Sequence, residues 1–270
     1  MVAATIEPNV TDLFKSWRKN KRQIHMTIIY LNRFHRRALT RDSRLSEIAL
    51  DNIWAKLMLV LWISLAEVEF NILLTEHYHF TEAFLTHADI NRKSETDKWL
   101  ALIDYFFREK YFGNQRRELD EMNLGSTNYY HYCTLRQIIR EDLGSFIELR
   151  NRIGHGQWAV AFNYTGFEKN QELTTRAWKL SKKQIMLLKA FVTNLPPLIR
   201  ALITSRATFE RDYDKYVHRI IRAKHDADMK FEWILKQKTA LKVDRSLDLN
   251  INTSHRNSTA RQIFSSESPP

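Results

Sequence analysis

Glycine and proline are scarce in this chain, at 6 and 5 among 270 residues, about a third of the usual combined share of about 12%. Sheets of many strands depend on the tight turns these two residues supply, so a mainly β architecture is excluded and helices are expected. Cysteine occurs once, as Cys133, which excludes an internal disulfide. The first residues also lack the basic-then-apolar order of a signal peptide, and the two absences together point to a reducing, cytoplasmic setting. Long apolar runs are missing as well. The longest, from Leu57 to Ala66, is bracketed by Lys56, Glu67 and Glu69 and falls short of the ~20 residues of a membrane span. It reads as a buried core helix, and no transmembrane segment is expected. No glycine loop built to cradle phosphate, no internal repeat and no Cys/His set with zinc spacing occurs, so neither a metal nor a cofactor is expected.

What the chain has in excess is positive charge, with 42 Lys and Arg against 31 Asp and Glu for a net +11. Such a surplus favours polyanions, because each neutralised phosphate releases condensed counterions. The surplus is concentrated at the start. From Lys15 to Arg44 the basic residues include Arg18, Lys19, Lys21, Arg22, Arg36 and Arg37, and the only acid is Asp42. Trp17, Ile24, Ile28, Leu31 and His35 recur there at helical spacing, which predicts a basic amphipathic helix or helix pair. A grip on a polyanion, a solvated helix face and a membrane-surface helix all fit that pattern.

Ile53 to Leu74 is the most apolar helix candidate. His77, His79, His87 and Asp89 follow without fixed metal-ligand spacing and read as loop. Ser94-Glu95-Thr96-Asp97 predicts a capped helix start and Gly113 its stop. A further helix is expected through Leu135, Ile138 and Ile139, interrupted near Gly144 and resuming to about Ile153. The stretches 157–163 and 172–178 read as the two strands of a hairpin turning at Gly166. Ser181-Lys182-Lys183-Gln184 opens another helix, expected to end or kink at Pro196-Pro197. Three parts result: a basic helical arm over 1–45, a helical domain over 46–240 with the hairpin near 157–179, and a polar tail over 241–270 expected to be disordered in isolation.

One constellation carries chemistry. Glu148-Leu149-Arg150-Asn151-Arg152-Ile153-Gly154-His155-Gly156-Gln157 closes a predicted helix, with Gly144, Gly154 and Gly156 clustered around it. On an unbroken helix Arg150 and His155 lie about 140° apart. A left-handed Gly154 would stop the helix near Ile153 and turn His155 back toward Arg150. Two structural alternatives stand beside catalysis: Arg150 pairing with Glu148 or capping the helix end, and His155 favoured there by the helix dipole. Glu67 or Glu69 is a further partner for Arg150 across the bundle.

The arginine, its polar neighbour and the histidine five residues on resemble the Arg-x(4-6)-His signature of the HEPN superfamily, the higher eukaryotes and prokaryotes nucleotide-binding domains. That resemblance implies a mainly α, HEPN-like helical bundle, here with an inserted β-hairpin after the motif, which pairs as a homodimer so that two motifs share one cleft. It implies a metal-independent endoribonuclease with Arg150, Asn151 and His155 as the catalytic set, acting on tRNA or single-stranded RNA as a toxin or phage-defence effector, with an antitoxin or regulatory protein as a further partner. A catalytically inactive RNA- or nucleotide-binding regulatory module is the alternative. Members silenced by modification often carry a tyrosine two residues after the histidine, where this chain has Gln157.

The residue types suit the chemistry. A histidine titrates near pH 6.5 and can take the proton of an RNA 2′-hydroxyl, and an arginine fork can hold two phosphate oxygens as charge develops. The products would carry a 2′,3′-cyclic phosphate and a 5′-hydroxyl. Arg152, Gln157 and Trp158, with the arm residues Arg18, Lys19, Lys21, Arg22, Arg36 and Arg37, are the expected RNA contacts. The aromatic run Tyr129-Tyr130-His131-Tyr132 could stack bases or fill the core.

Overall fold

The computed structural model describes residues 10–41, 47–76, 93–113, 117–163 and 166–227. His77, His79, His87 and Asp89 lie outside these, as does the 241–270 tail. The chain divides into a unit Met1–Ala223 and a unit Lys224–Pro270; of the second only 224–227 are described, all helical.

The first unit is mainly helical. Its elements are α1 (Val10–Arg41), α2 (Glu47–Glu76), α3 (Glu95–Phe112), the single turn α4 (Glu121–Leu124), α5 (Ser126–Gln137), a π-helical segment (Ile138–Leu143), α6 (Gly144–Gly154), α7 (Gln171–Lys179), α8 (Lys182–Thr204) and α9 from residue 206 onward. α2 is the central helix, packed against α1, α6, α7 and α8. It is apolar around its whole circumference, as suits a helix with neighbours on several sides; Leu59, Ile63 and Leu73 are fully buried. α2 and α8 are long and apolar enough to cross a membrane by length and composition alone, with 61% of each apolar window buried inside the protein.

The α1–α2 pair follows from a heptad-like seam. Phe14, Trp17, Lys21, Ile24, Ile28, Leu31 and His35, in alternating steps of three and four, are among the less exposed positions of α1, the spacing that keeps one stripe against a neighbouring helix. Polar contacts set the register. Lys21 pairs with Glu69 at 2.5 Å, the His25 and Trp62 rings stand perpendicular with centres 6.4 Å apart, and His35 lies 2.8 Å from Asp51 while stacking on Trp54. Over its described residues, Val10–Arg41, the basic N-terminal segment is thus one continuous helix, and Ile28 belongs to the common core.

Two helix signals match expectation. Ser94 Oγ accepts from the Asp97 amide, and Gly113 ends α3 at φ 61°. The interruption expected near Gly144 is the π-helical segment before it. Two others differ. α8 does not stop at Pro196-Pro197 but continues to Thr204, because Leu195, Leu198, Ile199 and Leu202, each at most 1% exposed, hold both sides of the proline pair in the core. The strand expected over 172–178 is helix α7 instead. Asn170 caps it by accepting from the Leu173 amide, and Leu173, Ala177 and Leu180 are buried at helical spacing. Phe162 and Lys169 form an isolated antiparallel bridge, the only β pairing among the described residues.

Candidate functional site

The end of α6 carries the Arg150–His155 constellation, and its left-handed glycine lies two residues beyond the sequence expectation. Gly154 is helical, His155 is the cap residue with φ −89° and ψ 21°, and Gly156 takes the left-handed conformation at φ 80°. The Gln157 amide donates to the Arg152 carbonyl and the Gly156 amide to the Ile153 carbonyl, both at 3.0 Å. This is the Schellman pairing, with the left-handed position one residue after the cap. Gly154 has no need of it, since the helix runs through that position.

This geometry separates the two motif side chains. Arg150 is half-buried and turns to Glu67 of α2, with which it forms an ion pair. Burial draws its guanidinium below the ordinary arginine value. Glu148, the other acid within reach in sequence, is engaged by Arg176 of α7 at 3.2 Å. Asn151 and His155 are exposed; the Asn151 carbonyl accepts from the His155 amide. Within one chain, therefore, Arg150 faces the bundle while His155 stands at the exposed helix end.

The turn after His155 is held from several directions. Gln157 Oε1 accepts from the Phe162 amide at 2.9 Å, so this side chain staples its own loop. Arg152 donates to the Asn163 carbonyl at 3.3 Å. Lys56, buried within α2, donates to the Trp158 carbonyl at 2.7 Å and lies 4.7 Å from the centre of the Trp178 ring. Trp178 Nε1 donates to the Ala159 carbonyl, and Asn52, one turn before Lys56, donates to the Trp178 carbonyl at 3.1 Å. Burial pulls the Lys56 ammonium below its ordinary value. Lys56 and Asn52 escaped the sequence reading, although a lone lysine at the edge of the most apolar stretch was the available signal.

The other expected contacts are dispersed. Arg18, Lys19, Arg22, Arg36 and Arg37 are exposed along α1, whereas Lys21 is engaged by Glu69. The aromatic run divides: Tyr132 is buried and donates to Asp104 at 2.9 Å, His131 stacks on Tyr213, and Tyr130 is exposed. Trp158 lines an apolar groove of about 610 Å³ with Ile153 and Gly154, against Tyr30 and Phe34 of α1 and Leu57 and Leu61 of α2. A second groove, of about 370 Å³, lies further along the same two helices and is lined by Trp17, Gln23 and Glu67, the partner of Arg150. Among the described residues no group of His, Cys, Asp and Glu could hold a metal ion. No family model, curated protein or solved structure matches the chain.

Proposed function

We propose that this protein is a HEPN-type endoribonuclease that works without a metal ion, and that it pairs as a homodimer to bring two motifs into one cleft. The supporting observation is His155, exposed on a rigidly capped helix end between two residues that line a groove, one turn beyond a half-buried arginine. In the proposed reaction His155 takes the proton of an RNA 2′-hydroxyl. The 2′-oxygen bonds to the adjacent phosphorus, the bond from phosphorus to the 5′-oxygen breaks, and that oxygen leaves as it takes a proton from water, while the proton on His155 passes to solvent. Arg150 neutralises the phosphorane oxygens, for which it must exchange Glu67 for phosphate. Asn151, beside it and exposed, binds phosphate. A role as a cytoplasmic toxin or phage-defence effector held in check by an antitoxin belongs to the same reading.

The test is incubation of purified protein with labelled tRNA and single-stranded RNA in EDTA, beside His155→Ala and Arg150→Ala. Cleavage to cyclic-phosphate ends is expected from wild type, with a loss of about a hundredfold or more in His155→Ala. Equal activity in all three overturns the assignment. Light scattering across concentrations tests the homodimer, and a strict monomer overturns the shared cleft. One observation favours a second reading: with Arg150 engaged by Glu67, the site also fits a silent HEPN-like module that binds RNA or nucleotide. RNA binding without cleavage would establish that reading.

A further inference from the structure

The groove beside His155 is lined by exposed aromatic side chains. Tyr30 is 59% exposed and Phe34 68%; four residues apart, they share one face of α1. Trp158 faces them from the turn that carries His155, and Leu57 and Leu61 form the floor. Arg33 lies 6.0 Å from the centre of the ring of groove-lining Tyr30, and Arg37 is exposed one turn further along. Aromatic faces beside arginines are what unpaired nucleobases and their phosphates require: the rings stack on the aromatics and the backbone follows the cations.

Charge decides among possible occupants. α1 carries nine Lys and Arg against the single acid Asp12. A second copy seated in this groove through its own α1 would bring one such helix against another, and like charge opposes that approach; a polyanion is drawn to it. An apolar groove with an arginine beside one of its aromatic walls suits bases flanked by phosphates better than it suits a uniformly charged duplex exterior. Resting on the ribonuclease reading above, we infer that this groove seats the unpaired bases of single-stranded RNA, stacked on Tyr30, Phe34 and Trp158, and delivers the adjoining phosphate to His155. Duplex RNA, with its bases paired and stacked internally, has nothing to offer these rings.

The experiment measures binding by fluorescence anisotropy, with the full chain carrying His155→Ala so that the probe stays intact. The probe is a fluorescein-labelled oligouridylate of roughly a dozen nucleotides, within the site size of single-strand binders. An abasic strand with the same number of phosphates and a duplex of the same length are the comparisons. Tyr30→Ala and Phe34→Ala are each expected to weaken oligouridylate binding about tenfold and to leave abasic binding unchanged, with thermal midpoints near that of the parent because both side chains are exposed. Unchanged oligouridylate affinity in both variants overturns the proposal. So does loss of a dimer, or loss of binding to phosphatidylserine-containing vesicles, with RNA affinity intact, since the groove would then be a self-association or membrane face. The catalytic reading fails separately: aromatic-dependent binding with no cleavage by wild type keeps the groove and removes the nuclease, and cleavage indifferent to Tyr30 and Phe34 does the reverse.

Discussion

A methyl group added at Gly156 would ask an L-residue to hold φ at 80°, where the Cβ meets the backbone at a cost of about 1 to 2 kcal/mol. No other atom lies within 4 Å of that position, so the penalty is conformational and not steric crowding. Gly156→Ala is therefore expected to lose about 1 kcal/mol and to loosen the His155 turn, lowering any cleavage rate by more than the stability change explains. Gly154→Ala is expected to behave oppositely. Gly154 is helical, with open space around its would-be Cβ, and alanine there gains up to about 1 kcal/mol from helix propensity. Urea unfolding of the two variants separates them, and a destabilised Gly154→Ala beside a neutral Gly156→Ala would move the helix end back to where the sequence alone had put it. Two nearby glycines in a helix-closing stretch both satisfy the local capping pattern. Which of them turns left-handed depends on the Lys56, Gln157 and Arg152 contacts that hold the following residues.

At the level of elements, helix content was legible because so few residues could break helices, and the start and stop of α3 were legible from Ser94 and Gly113. The α7 helix was not, because the β-branched pair Thr174-Thr175 suggests a strand while the helical stripe rests on small Ala177. The proline pair left an end and a kink open; the helix does not end there, because burial on both sides overrides the missing amides. Of the candidate site, the partner of Arg150 was narrowed to Glu67, Glu69 or Glu148, but the clamp around Trp158 was invisible because Lys56 and Trp158 are 102 residues apart. That clamp can be tested. Lys56→Met keeps the length of the side chain and removes a buried charge, so global stability is expected to hold or rise by up to about 1 kcal/mol. Amides 158–163 should nevertheless exchange faster, because the Trp158 carbonyl is released. The pH dependence has a definite sign. The folded-state value of Lys56 lies below its ordinary 10.5, so the folded chain carries a penalty at neutral pH that is relieved as pH rises through that lowered value toward 10.5. Wild type should gain stability relative to Lys56→Met across that window, and parallel pH profiles would show that the charge is not desolvated.

For the whole molecule, a net charge of +11 overstates what is available to a polyanion, because some cations already have internal partners. Lys21 is paired with Glu69 in the α1–α2 seam, and Arg152 is tied to the Asn163 carbonyl, whereas Arg33 stands exposed beside Tyr30. Counterion release distinguishes these classes by slope and not by affinity alone. On single-stranded nucleic acid each lost phosphate contact reduces the dependence of log affinity on log salt by about 0.7. Arg33→Gln is thus expected to flatten the slope by about 0.7 with an unchanged thermal midpoint. Lys21→Gln is expected to leave the slope as it was and to lose about 1 to 3 kcal/mol of stability, because Glu69, 7% exposed, would be left buried without its cation. Titrations of oligouridylate at several potassium concentrations, beside thermal melts of the same preparations, read both quantities. A Lys21→Gln slope that falls with stability intact would mean that the pair opens to grip phosphate, and that the seam of α1 and α2 itself forms part of the RNA path.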